Sequence, residues 1–209
     1  MTYREAINLG EKVLNMADVA DAKIDAWLLL EMVCKIDRSF YYLHMEDEVA
    51  EEQLSEYEIA LRKRAEHVPL QYIVGEAEFM GLKFKVNSNV LIPRQDTETL
   101  VEEALKVVKP GMNVLDMCTG SGCIAISLKK LGGYRHVEGA DISEEALKVA
   151  RKNAEDILGM DRDTELVSVK NCADTPEQNW QNLSDSQNKY DNFANSKLSV
   201  ALDISNSSE

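Results

Sequence analysis

Four cysteines, four prolines, three histidines and an aromatic content of 6% are all that 209 residues supply of these types. The cysteines (Cys34, Cys118, Cys123, Cys172) form no C-x-x-C pair and are too few for a disulfide framework. His44, His67 and His136 are far apart and lack the spacing of a metal site, so no metal is expected. No two of Pro69, Pro93, Pro110 and Pro176 are adjacent. No uncharged apolar run approaches the length of a membrane-spanning helix. The start, Met1-Thr2-Tyr3-Arg4-Glu5, lacks the apolar stretch of a secretory signal. Basic residues are scarce too: Lys+Arg 23 against Asp+Glu 37 give a net charge of -14. That sign argues against a general nucleic-acid binder, which needs a basic face. The 44% of apolar residues is enough for a sizeable core and excludes a globally disordered chain. Together these features read as a cytoplasmic protein with free thiols, without direct nucleic-acid or membrane contact.

Residues 1–66 read as a small helical bundle. Thr2 and Glu5 fit a capping box, and Ala6, Leu9, Val13 and Ala17 recur at helical spacing. Asp21 is placed to cap a second helix carrying Ala26, Leu29, Leu30 and Val33. A third spans about Ala50 to Glu66, with Leu54, Tyr57 and Leu61 on one face. Trp27 and Met32 belong to the bundle core, while Arg62, Lys63 and Arg64 suit the negative end of a helix dipole. Residues 67–110 read as a hairpin linker and a helix. Leu82, Phe84 and Val86 alternate with polar residues, Val90-Leu91-Ile92 is a second apolar run, and Asp96 or Thr97 caps the helix that follows.

From 111 to 170 the pattern is strand, glycine loop, helix, strand, helix, strand: Val114–Met117, Ile124–Leu131, Val137–Asp141, Ser143–Leu158 and Glu165–Val169. This is the opening half of a doubly wound α/β sheet. Residues 171–209 hold seven Asn, seven Ser and three Gln and no glycine, which suits a polar, disordered tail.

The stretch Asp116-Met117-Cys118-Thr119-Gly120-Ser121-Gly122 carries the chemistry. It follows a strand and opens a helix. Glycines at 120 and 122 permit a tight turn and a close backbone approach to a ligand, and backbone N–H groups at the helix start face that ligand. Asp141 ends the next strand, where a carboxylate can accept both ribose hydroxyls of an adenosine. Gly120-x-Gly122-x-x-Ala125 also satisfies a dinucleotide fingerprint, so NAD and S-adenosylmethionine both remain candidates on these residues. A dinucleotide domain commonly begins with the loop-bearing strand, whereas here 111 residues come first.

Three further segments are informative: Pro69-Leu70-Gln71-Tyr72-Ile73-Val74-Gly75, Glu78-Phe79-Met80-Gly81-Leu82, and Ile92-Pro93-Arg94-Gln95-Asp96-Thr97-Glu98. With the glycine loop and Asp141 they resemble, in order over most of residues 1–170, the HemK/PrmC family. The resemblance implies an S-adenosylmethionine-dependent methyltransferase acting on the side-chain nitrogen of a glutamine in peptide chain release factors. It implies a helical release-factor-recognition bundle (1–66), a hairpin linker (67–110) and a Rossmann-like catalytic domain; a monomer is expected. Asp116, Cys118, Thr119, Gly120, Ser121, Gly122 and Asp141 become the cofactor-binding residues.

The family's Asn-Pro-Pro-Tyr motif does not occur, since no two prolines are adjacent. In the family its Asn side chain and a backbone carbonyl hold the amide nitrogen in line with the sulfonium methyl, an effect of orientation and charge placement. No catalytic residue is therefore assigned; Asn171, Asn179 and Asn182 lack the proline frame. Only 98 residues follow Gly111, too few at ~30 residues per βαβ unit for a full sheet. The expectation is an incomplete, C-terminally truncated class I methyltransferase domain, impaired in catalysis. The alternative is a non-catalytic release-factor-binding module.

Overall fold

The computed structural model describes residues 1–109, 112–134, 136–159 and 167–171. The expected tail, 171–209, lies outside the described residues from 172 onward; its first residue, Asn171, is described and ends a strand. The chain divides into two compact units, Met1–Gly75 and a second that opens at Glu76.

The first unit is helical: α1 (Tyr3–Met16), α2 (Ala22–Cys34), α3 (Arg38–His44), α4 (Glu51–Ala65) and α5 (Leu70–Val74). The capping box at the start of α1 forms, with Thr2 Oγ1 accepting from the Glu5 N–H and Glu5 from the Thr2 N–H. Helix α2 is apolar around most of its circumference because it lies at the centre, and Ala26, Leu29 and Leu30 are wholly buried. Tyr57 of α4 reaches across and donates its hydroxyl to the Ala26 carbonyl at 3.0 Å. Gly10 of α1 makes room for that hydroxyl, since a Cβ there would overlap it.

Three expectations need correction in this unit. Asp21 occupies the position before α2 but makes no side-chain capping bond; its backbone stands outside the extended region that capping favours. The helical unit runs to Gly75 because Leu70, Ile73 and Val74 of α5 pack on its core, so the Pro69–Gly75 segment belongs to it and not to the linker. Arg64 does more than face a helix dipole. Its Nε lies 2.6 Å from Oδ2 of Asp25 on α2, with both side chains largely buried, and it also donates to the Val68 carbonyl.

The second unit begins with an antiparallel hairpin, β1 (Glu76–Phe79) and β2 (Leu82–Lys85). The partner of β2 thus lies upstream, and Val90-Leu91-Ile92 stays outside regular structure. The hairpin turn places Met80 and Gly81 at φ 53° and 69°, the sign that a tight two-residue turn demands. Then follow α6 (Gln95–Val107), β3 (Asn113–Met117), α7 (Cys123–Gly132), β4 (His136–Asp141), α8 (Glu144–Leu158) and β5 (Val167–Asn171). Helix α6 starts at Gln95 after Arg94, two or three residues earlier than a cap at Asp96 or Thr97 would set it, and no side chain caps it. Ser143 does cap α8, accepting from the Ala146 N–H at 3.2 Å. The three strands form a parallel sheet in the order β3-β4-β5, the α/β arrangement expected of an incomplete Rossmann-like domain. The expected strand Glu165–Val169 lies within the described residues only from Val167, and β5 runs on to Asn171. The core joins Phe79 and Phe84 of the hairpin, Val101 of α6, Ile126 and Leu128 of α7 and Val137 of β4.

Candidate functional site

The site grows from the way β3 hands over to α7. Strand β3 ends at Met117, and the chain reverses through Cys118 (φ 61°), Gly120 (φ 54°) and Gly122 (φ 80°), three left-handed residues in five. Only the glycines adopt this region at little cost, so Cys118 carries backbone strain at the mouth of the loop. Gly122 is required twice over. A Cβ there would stand 2.7 Å from Ile126 Cδ1 and 3.3 Å from Ala150 Cβ, so α7 and α8 pack directly against its backbone. Gly139 of β4 is small for a related reason, since its hypothetical Cβ would crowd the Thr119 side chain.

Two carboxylates hold this loop from below. Asp116 Oδ2 accepts the Thr119 hydroxyl at 2.7 Å and the Ala125 N–H at 3.2 Å. Asp141 Oδ2 accepts the Gly120 N–H at 2.9 Å, while Oδ1 accepts the Ser143 N–H at 2.9 Å. The Thr119 N–H donates to the Ala140 carbonyl and the Gly122 N–H to the Thr119 carbonyl. Burial pushes the Asp116 carboxyl up to about 6; the Thr119 and Ala125 bonds pull the other way, and the nearby Asp141 charge adds to the rise. Burial likewise lifts the Cys123 thiol to about 11, which leaves it protonated at neutral pH and a poor nucleophile.

The seven residues singled out in the sequence therefore share one site, in different roles. Thr119 and Ser121 are buried, so their side chains face the protein and only their backbone is available to a ligand. Asp116 acts from beneath, as a brace. Cys118 is exposed at the rim. Gly120 is open above: a Cβ would meet nothing nearer than the Cys118 carbonyl at 4.0 Å. Each Asp141 oxygen accepts a single bond and keeps a further lone pair for a ligand hydroxyl. These features fit an adenosine-bearing cofactor. Among the described residues no group of three His, Cys, Asp or Glu side chains could hold a metal ion, and no helix is long and apolar enough to cross a membrane.

Sequence reasoning missed three contributors. Asn153, on the apolar face of α8 with Ala146, Leu147 and Ala150, bonds the loop at Ser121; a polar residue on that spacing was the available signal. Ile142, next to Asp141, is 73% exposed. Glu98 accepts the Met80 N–H at the hairpin turn at 2.5 Å, which pins the turn to α6.

Comparison with known proteins agrees with this division of the chain. Residues 5–75 match the family model of the PrmC N-terminal domain. Residues 95–186 match that of the ribosomal protein L11 methyltransferase, PrmA. The chain is 37% identical over 177 residues to the release factor glutamine methyltransferase of Leptospira interrogans, covering 83% of this chain and 62% of that protein. It is 38% identical over 156 residues to the protein of that name from Koribacter versatilis (74% and 56%). It is 41% identical over 145 residues to that of Chlorobaculum tepidum (66% and 49%). The chain thus spans about half to three fifths of the length of the curated relatives it matches. The resemblance to the HemK/PrmC family thus runs from the helical unit through the glycine loop.

Proposed function

We propose that this chain, which shares its N-terminal domain and most of its length with release factor glutamine methyltransferases, holds S-adenosylmethionine on the β3–α7 loop and recognises a release factor through its helical unit. The observation that carries the cofactor reading is the pairing of Gly120 and Asp141. A carboxylate at the end of β4 buttresses a glycine whose outer side is open, so a ligand can lie on the loop backbone and donate its hydroxyls to the same carboxylate. Ile142 offers an apolar face for an aromatic base beside that carboxylate. The cofactor, when bound, supplies an electrophilic methyl group on a cationic sulfonium. Asp116 and Asp141 set two carboxyl groups beneath the loop, a favourable field for that charge above the titration of Asp116.

Transfer to an amide also needs the nitrogen oriented, because its lone pair is delocalised. Asn-Pro-Pro-Tyr, to which the family resemblance assigns that task, is not among the 209 residues. We therefore infer that these residues bind the donor and transfer its methyl group poorly. The test has two arms. Titration of S-adenosylhomocysteine into the full chain should give saturable binding that Asp141→Ala abolishes. NAD binding in its place would favour the dinucleotide reading, and heat absent at about 1 mM ligand would overturn the site. Methyl incorporation into a release factor at the rate of a full-length relative would overturn the inference of impaired transfer.

A second reading rests on the first unit. Met1–Gly75 has its own core, built on Ala6, Leu14, Leu29, Leu30 and Tyr57. It is a self-contained candidate for release-factor binding without methylation. Retention of a release factor by residues 1–75 at micromolar concentration supports it, and loss of retention opposes it.

A further inference from the structure

Asn153 is the one buried side-chain amide on α8, 1% exposed, and each of its polar groups is engaged. Its Oδ1 accepts the Lys85 N–H at 2.7 Å, and its Nδ2 donates to the Lys85 carbonyl at 3.0 Å and to the Ser121 carbonyl at 2.9 Å. The orientation is fixed by this set. A flipped amide would turn two donors on one N–H and one oxygen on two carbonyls. Asn153 therefore reads the backbone of β2 as a neighbouring strand would, and with its remaining proton holds the glycine loop. The Ser121–Gly122 peptide is pinned on both sides: its carbonyl by Asn153, and its N–H by the Thr119 carbonyl at 2.8 Å. The peptide ahead of a left-handed glycine can flip at low steric cost, and a flip would break both of these bonds and reshape the loop between Thr119 and Gly122.

We propose that Asn153 is a positioning residue that locks the Ser121–Gly122 peptide plane and couples the loop to the linker hairpin at Lys85. The inference rests on the cofactor reading of the loop given above. It predicts that a ligand settling on the loop is felt at the Lys85 amide, which Asn153 holds.

Amide hydrogen exchange on the full chain, with and without S-adenosylhomocysteine, tests this. Slowed exchange at Gly120, Gly122 and also Lys85 is the expected result. Slowed exchange at the two glycines with Lys85 unchanged overturns the coupling and leaves the cofactor site standing. No change at the glycines overturns the cofactor reading and this inference with it. Asn153→Asp keeps the acceptor for Lys85 but sets an oxygen against two carbonyls. It should weaken S-adenosylhomocysteine binding roughly tenfold or more and abolish the ligand response at Lys85. Unchanged affinity in a folded Asn153→Asp chain refutes the proposal. If that variant does not fold, the exchange comparison on the unmodified chain still decides.

Discussion

Gly122→Ala and Gly120→Ala change the same atom count two residues apart, yet the loop geometry requires very different outcomes. Both glycines are left-handed, at φ 80° and 54°, so each substitution carries a backbone cost of about 1–2 kcal/mol. At Gly120 nothing else is added, because the nearest atom to a new Cβ is 4.0 Å away. At Gly122 the methyl would stand 2.7 Å from Ile126 Cδ1 and 3.3 Å from Ala150 Cβ. Ile126 is fully buried, so its side chain has no free volume to swing into, and Ala150 is fixed on α8. Overpacking of this kind adds about 1–3 kcal/mol. Gly122→Ala should therefore destabilise the second unit by about 2–5 kcal/mol and Gly120→Ala by about 1–2 kcal/mol. Urea unfolding, followed by amide exchange in α7 and α8, measures both. Binding should rank the other way relative to stability: Gly120→Ala plugs the open face and should lose S-adenosylhomocysteine while remaining folded. Equal destabilisation by the two substitutions would refute the packing argument, since it would mean the loop shifts away from Ile126 without penalty.

Asp116, whose carboxyl is raised to about 6, binds a proton more tightly in the folded state than unfolded. Its contribution is therefore most favourable below about pH 4 and is lost as pH rises through about 6. Relative to Asp116→Asn, the unmodified chain should gain up to about 3 kcal/mol on acidification across that window, and parallel stability–pH curves for the two would refute the assignment. In the helical unit, Arg64→Met strands the buried Asp25 carboxylate and should cost about 3–5 kcal/mol. The double change Asp25→Leu with Arg64→Met should recover most of that loss in thermal unfolding, and additive losses would contradict a coupled pair. Ser127 Oγ is fully buried and has no hydrogen-bond partner among the described residues, so Ser127→Ala should leave stability unchanged or raise it by about 1 kcal/mol in a urea titration, and a clear loss would point to a bond at that hydroxyl.

Features carried by short-range chemistry were legible in the sequence. Thr2 and Glu5 lie three residues apart and cap each other, so spacing alone finds them. Ser143 ahead of Glu144-Glu145-Ala146 announces α8 in the same way. The loop from Asp116 to Gly122 declares itself because glycine is needed where φ is positive, and the strand–loop–helix order locates Asp141 across the sheet. Where local rules failed, a distant partner had taken over. Asp21 and the Asp96–Thr97 pair have capping side chains, but the backbone at Asp21 lies outside the extended region and α6 begins before Asp96, so neither is placed to cap. Helix α5 is too short to show a period, and its place is fixed by the apolar surface that Leu70, Ile73 and Val74 find on the helical core.

The same distinction explains why the sequence names the loop and its two carboxylates and misses Asn153. Asp141 meets Gly120 across 21 residues, but a Rossmann-like order predicts that meeting. Asn153 meets Lys85 across 68 residues, through a hairpin that is no part of the strand–helix repeat. No periodicity encodes such a contact. What the sequence can show is a violation, a polar amide at the spacing of Ala146 and Ala150, on a face that should be apolar. A buried polar group is tolerated only when its partners are all present. Asn153 on that face is thus evidence of a partner elsewhere in the chain, and the two backbone segments it joins are the linker hairpin and the glycine loop.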